Sequence, residues 1–335
     1  MSDRTPDPHP PVSSPVNTLD RSLQRILRER KAAREELAPE AVHDLRVALR
    51  RCRSLADGFA DLDPHPAWRH LQKACKRLQA GLTDLRDAQV MAEWAPRLGL
   101  TAGTGGAAFA AVLADEERRG RRSARRALAN FSPKRWKRWR RELPARAEQI
   151  PTGAPHFAKL ALRRLSEARD LERRWRRSRS VRAAHRLRVG LKRFRYTLES
   201  FLAELRAAWG GDLKRLQRQL GEVHDLDVLR ARVLKLAREE AFADETREAW
   251  LARIERARGE RVQLYWRTIA PNSASRKRKR AARPRTLWDR WEKRLTQLAT
   301  VNVPDAGEPL PSGAKATSRA GERTFRHRGM RRRPS

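Results

Sequence analysis

His43-Asp44-Leu45-Arg46-Val47-Ala48-Leu49-Arg50-Arg51-Cys52-Arg53, running on to Phe59, recurs as His185-Arg186-Leu187-Arg188-Val189-Gly190-Leu191-Lys192-Arg193-Phe194-Arg195, running on to Phe201. Eight of the 17 aligned positions are identical, where ordinary residue frequencies give about one by chance. A second block, Lys76-Arg77-Leu78-Gln79, returns as Lys214-Arg215-Leu216-Gln217, followed by Leu82 and Leu220, Asp87 and Asp225, Val90 and Val228. The offset falls from 142 to 138 residues between the blocks. The connection carrying Asp61-Leu62-Asp63-Pro64-His65-Pro66 is therefore expected to be shorter in the second copy. Two motifs in one order make the repeating unit a small multi-helix domain, present twice.

The apolar spacing is helical throughout, and neither strand-like alternation nor paired hairpin signals occur. A helix is expected from a cap at Asn17 or Thr18 to about Leu37, another from Pro39 to Phe59, a long one from about Trp68 to Trp94, and a fourth from about Ala107 to Asn130. Pro133 opens an accessory basic helix with Trp136 and Trp139. The second half repeats the plan over about Pro155–Trp175, Val181–Leu205, Asp212–Ala241 and Asp244–Arg267. The expectation is an all-α protein of two tandem four-helix bundles related by pseudo-twofold symmetry, residues 18–150 and 151–270. Residues 1–17 read as a disordered N-terminus. Residues 271–335 read as a basic, mostly disordered tail, in which only Leu287–Leu298, with Trp288 and Trp291, forms a short amphipathic helix.

With 77 Lys and Arg against 40 Asp and Glu, the 335-residue chain carries a formal charge of +37. Self-repulsion on that scale opposes compaction, which points to a standing polyanionic partner: nucleic acid, an acidic membrane surface or polyphosphate. Arginine dominates, and its planar fork suits bidentate contacts to phosphate oxygens. No apolar run approaches the ~20 residues of a membrane span and no secretory signal is visible, so a cytoplasmic protein is expected. Cys52 and Cys75, the only cysteines, fall on apolar helical positions and read as buried free thiols.

On a helix the first repeat separates into two stripes. Leu45, Leu49, Cys52, Ala56 and Phe59 form an apolar one, and His43, Arg46, Arg50 and Arg53 a cationic flank; Leu187, Leu191, Phe194, Leu198 and Phe201, with His185, Arg188, Lys192 and Arg195, repeat the pattern. Like charges three or four residues apart repel by up to about half a kcal/mol per pair. Asp44 and Asp57 are too few to neutralise the first stripe, so the arrangement makes sense if an anion bridges the arginines. A pseudo-twofold arrangement would let the two stripes face one another across a cleft, with cations at intervals of about one helical turn, ~5.4 Å. His43 and His185 are either hydrogen-bonded structural residues or donors to bound phosphate, and their place beside the arginines favours the second. No ligand spacing for a metal accompanies them. Asp87 and Asp225, which follow Arg86 and His224, read as ion-pairing residues that orient arginines rather than as an acid/base pair. The Gly-rich turn Thr101-Ala102-Gly103-Thr104-Gly105-Gly106 lacks the Lys-Ser/Thr ending of a nucleotide loop, so ATP hydrolysis has no support.

These residues resemble the CHAD domain, the conserved histidine α-helical domain. The likeness rests on His43-x-x-Arg46-Val47-x-x-Arg50-Arg51-x-Arg53, on His185-x-Leu187-Arg188-x-x-Leu191-Lys192-x-x-Arg195-Tyr196, and on Leu220-Gly221-Glu222-Val223-His224-Asp225. It covers roughly residues 18–268. The resemblance implies two four-helix bundles with a basic central cleft that binds inorganic polyphosphate and can target a protein to polyphosphate granules. By residue match, His43, Arg46, Arg50, Arg53, His185, Arg188, Lys192 and Arg195 would line the cleft, with Lys76, Arg77, Lys214 and Arg215 adding to it. The first copy departs at Gln79-Ala80-Gly81-Leu82-Thr83, where the second has Gln217-Arg218-Gln219-Leu220-Gly221, so its glycine is displaced and the family pattern does not fix the helix geometry there. Nothing before Thr18 or after Pro271 resembles the phosphohydrolase domain fused to many family members. The expectation is a stand-alone, non-enzymatic binding module without cofactor or metal. One alternative is a nucleic-acid-binding or nucleoid-associated protein, with the basic tail as contact and Trp136, Trp139, Trp288 and Trp291 stacking on bases. Another is a phosphohydrolase or phosphotransferase using His43 or His185.

Overall fold

The computed structural model describes residues 15–150, 154–238, 243–270 and 286–300, and every regular element among them is a helix. The first half runs α1 (Pro15–Glu35), α2 (Pro39–Ala60), α3 (Pro66–Gly81), α4 (Thr83–Arg97), α5 (Gly103–Ala129) and α6 (Pro133–Glu148). The second runs α7 (Ala154–Ser178), α8 (Val181–Phe201), α9 (Ala203–Arg238), α10 (Asp244–Ile269) and α11 (Leu287–Ala299). The chain is thus two tandem helical bundles built on an internal duplication. Residues 61–65 connect α2 to α3, whereas Leu202 alone connects α8 to α9. That four-residue difference is the drop in the repeat offset. The expected disordered N-terminus, except its last residues, and most of the basic tail lie outside the described residues.

Each half closes around its own core. Leu45, Leu49, Cys52, Ala56 and Phe59 of α2 are fully buried in the first, and Leu187, Leu191, Phe194 and Leu198 of α8 in the second. The apolar stripe of each repeated motif therefore packs inward, as its spacing requires. A third core joins the halves: Met91 and Trp94 of α4, Phe109 and Leu113 of α5, Leu229 and Val233 of α9, Trp250 and Ile254 of α10. The distal parts of two helix pairs, one from each half, thereby form a shared bundle that the period of the sequence alone does not reveal.

The helix expected from Trp68 to Trp94 breaks at Leu82, whose N–H turns back to Ala80 and Gln79 carbonyls. Its counterpart in the second half, α9, runs unbroken for 36 residues. A Cβ at Gly81 would lie 2.3 Å from the Ala127 Cβ, so the glycine admits α5 against the end of α3, where the second half carries Gln219 within a continuous helix.

The boundary expected at residue 270 needs correction. α11 packs on α7 as α6 packs on α1, and its Trp288, Trp291 and Leu295 are buried in the second core. Trp136, Trp139 and Leu143 of α6 have the same spacing and are buried in the first. The duplication therefore includes this fifth helix, and the intervening basic run Arg276–Arg280 conceals it in composition. Arg169 of α7 ties α11 down through Asp289 at 2.6 Å and Glu292 at 2.5 Å.

Candidate anion-binding cleft

The two repeated helices, α2 and α8, pack against each other, and small and aromatic residues fix how they meet. A Cβ on Gly58 would lie 2.4 Å from the Phe201 ring, so only glycine lets that ring nest on α2. Phe201 stacks on Phe157 with centroids 4.1 Å apart and sets its edge against Phe59 at 5.5 Å. Arg164 reaches Asp57 at 2.5 Å, Arg163 pairs with Asp61, and Arg51 lies 3.9 Å from Glu199. This packing turns the basic flanks of α2 and α8 toward each other. Arg50 Nε of the first half donates to the Tyr196 hydroxyl of the second at 3.2 Å.

Arg46, Arg50, Arg188 and Lys192 all lie half-buried in one electrostatic neighbourhood. Burial, reinforced by Arg50, Arg86 and Arg188, pulls the Arg46 guanidinium down to about 10. Burial, then Arg188 and Arg50, pulls Lys192 well below an ordinary lysine, and burial also lowers Arg188. These shifts are the mark of cations crowded in a partly dry space, where burial outweighs the opposing pull of Asp87 and Asp225. The two acids on the first stripe are engaged elsewhere, Asp44 with Arg25 at 3.8 Å and Asp57 with Arg164.

Two carboxylates sit among the cations, one from each half. Burial raises the Asp225 carboxyl to about 6, and Asp87 pushes it the same way while Arg188, Lys192 and Arg86 oppose the rise. Asp87 is raised chiefly by burial. Among the described residues neither approaches a cation within 4.0 Å, so the direct ion pairs expected of them are not made. His43 and His185 are exposed at the rim, each lowered by burial and by neighbouring cations. His185 lies 4.9 Å from His224, ring to ring, and burial together with Arg188 takes His224 down to about 3.

The structure thus brings together His43, Arg46, Arg50, His185, Arg188 and Lys192 of the expected set. It does not bring in the rest. Arg195 is spent inside its own bundle, on Glu199 and Gln217 at 2.6 Å each. Arg53 is not among the charges that act most strongly on Arg46, Arg188, Lys192 or Asp225. Lys76, Arg77, Lys214 and Arg215 are exposed on α3 and α9 and are not among the charges that act most strongly on the cleft groups. Arg86, Tyr196 and His224 join the cleft without having been singled out for it; Arg86-Asp87 and His224-Asp225, equivalent in the second repeated block, carried that signal. Arg86 and Asp225 also line a cavity of about 610 Å³ between α4, α9 and α10, against Trp94.

Trp136, Trp139, Trp288 and Trp291 are at most 5% exposed, so none can stack on a nucleic-acid base. No group of three His, Cys, Asp or Glu side chains able to hold a metal occurs among the described residues. None of the described helices is long and apolar enough to cross a membrane.

The sequence profile of the CHAD domain matches residues 17–234 and, a second time, 159–334. The chain belongs to the CHAD domain family. The crystal structure of the CHAD domain from the plant Ricinus communis is similar over 80% of this chain and 91% of its own, with a TM-score of 0.51 and 28% sequence identity. PptA from Streptomyces chartreusis is similar over 76% of this chain and 97% of its own, with a TM-score of 0.58 and 17% identity, a likeness of fold. No match was found among curated protein sequences.

Proposed function

We propose that this CHAD protein binds inorganic polyphosphate in the cleft between α2 and α8, without catalysis, and that binding recruits it to polyphosphate granules. The observation that carries the reading is the convergence of Arg46 and Arg50 with Arg188 and Lys192, four half-buried cations from two halves of the chain, none of which makes an ion pair within 4.0 Å among the described residues. Crowding like charges in a partly desolvated space is costly, and a linear chain with a negative charge on every phosphate reverses that cost along its length. Long-chain polyphosphate meets the need better than a single phosphate, because the cations are distributed along two helices at about one-turn intervals.

Nucleic acid offers the same backbone charge, but the buried tryptophans remove base stacking from that alternative. The test is the variant in which Arg46, Arg50, Arg188 and Lys192 are all replaced by Ala. Affinity for long-chain polyphosphate is expected to fall at least tenfold with helicity by circular dichroism retained. Unchanged affinity would falsify the site, and a wild-type preference for duplex DNA over polyphosphate, at matched phosphate and salt, would transfer the cleft to nucleic acid.

A further inference from the structure

The two arginines at equivalent places in the repeat are not in equivalent states. Arg46 Nη1 donates to the Gln79 carbonyl at 3.1 Å and to Thr83 Oγ1 at 3.0 Å, while Gln79 Nε2 returns a contact to the Arg46 carbonyl at 3.5 Å. The Gln79 carbonyl lies at the end of α3, where the chain turns at Leu82 rather than continuing as a helix, and the Thr83 hydroxyl has no counterpart at the equivalent Gly221. In the second half α9 continues through the equivalent Gln217–Gly221 stretch, so its carbonyls are consumed by its own helix. Arg188 therefore has no such acceptor. Its Nε is fully buried and unpartnered, and among the described residues it makes neither a hydrogen bond nor an ion pair within 4.0 Å. The side chain of Gln217 is engaged elsewhere: its Nε2 donates to the Leu191 carbonyl at 3.2 Å and its Oε1 accepts from Arg195. Lys192, one turn along α8, is likewise unpartnered among the described residues.

We infer that the duplication has divided its labour: Arg188, with Lys192, is the principal grip on the phosphate chain, and Arg46 is a positioning residue that braces the broken α3–α4 corner. The inference rests on the polyphosphate reading and assigns unequal roles within that site. A buried guanidinium N–H without a partner carries its full desolvation cost until an acceptor arrives. A phosphate oxygen supplies that acceptor at Arg188, whereas at Arg46 it would compete with a carbonyl and a hydroxyl already in place.

The test compares Arg188→Ala with Arg46→Ala in the full-length protein, measuring polyphosphate affinity by titration and unfolding temperature without ligand. Arg188→Ala is expected to lose at least tenfold in affinity while its unfolding temperature stays level or rises. Arg46→Ala is expected to unfold several degrees lower, and below that transition to lose no more than about threefold. Arg188→Lys keeps the charge and removes the fork; it should recover only part of the affinity. Equal affinity losses in the two alanine variants, or a larger loss for Arg46→Ala at unchanged unfolding temperature, would overturn the division of labour while leaving polyphosphate binding intact. Absence of binding by the wild-type protein would instead remove the polyphosphate reading and this inference with it.

Discussion

Asp225→Asn separates the two things a carboxylate in a cationic cleft can do: repel an incoming polyanion or hold arginines in place. The Asp225 carboxyl rises from an ordinary 3.8 to about 6, first because it is buried and then because Asp87 faces it, against the pull of Arg188, Lys192 and Arg86. At 1.36 kcal/mol per pH unit, ionised Asp225 opposes folding by at most about 3 kcal/mol. A carboxyl raised on folding favours the native state fully below its unfolded pKa, and that share is lost as pH climbs through about 6. Asparagine stays neutral, so the variant is expected to gain up to about 3 kcal/mol of stability at pH 8 and almost nothing near pH 4. Bound phosphate adds negative charge beside the same group, so tight binding favours its protonated form. At pH 8, about two units above its pKa, that protonation reduces wild-type affinity by up to about 100-fold. Calorimetric titration with long-chain polyphosphate should find Asp225→Asn tighter than wild type by as much as that at pH 8, and within about twofold at pH 5. His43 and His185 are present in both proteins, so protons they take up on binding cancel in the comparison. Weaker binding by the variant at pH 8, with lower stability, would refute the reasoning and assign Asp225 to orienting Arg188.

Replacing Trp291 by Ala removes a side chain 1% exposed from the second core and should cost about 3–5 kcal/mol of unfolding free energy in a denaturant titration; a loss under 1 kcal/mol would detach α11 from the fold. Gly81→Ala drives a methyl group into Ala127 and should destabilise by about 1–3 kcal/mol, whereas Gly221→Ala, with nothing within 4 Å, should be neutral or stabilising. The logarithm of polyphosphate affinity should fall linearly with that of salt concentration, and the variant lacking all four cleft cations should show a slope shallower by about 2, near 0.7 for each phosphate contact made by Arg50, Arg188 and Lys192.

The duplication, the helical class and the inward apolar stripes were legible because a repeated apolar period encodes a buried face directly. The four-residue change of offset likewise foretold the loss of most of the α8–α9 connection. Three things were missed, the first and the third because they depend on distances between segments remote in sequence. The shared third core arises where the far halves of α4 and α9 meet, and periodicity along one helix cannot say which helix it meets. The fifth helix was visible as Trp288, Trp291 and Leu295 matching Trp136, Trp139 and Leu143, but the basic run before it set the local composition. Within the site, spacing places Arg53 and Arg195 on the same stripe as Arg46 and Arg188. Only packing reveals that Arg195 is taken by Glu199 and Gln217, and that Arg46 is held by the corner at Leu82.

The most direct measurement is a crystal structure of the full-length protein with a defined polyphosphate bound. Density for one phosphate chain lying between α2 and α8, its oxygens within hydrogen-bonding distance of both Arg188 and Lys192, is the expected result. A chain held only on the outer faces of the bundles, with the guanidinium of Arg188 untouched, would contradict a cleft built from two converging rows of cations.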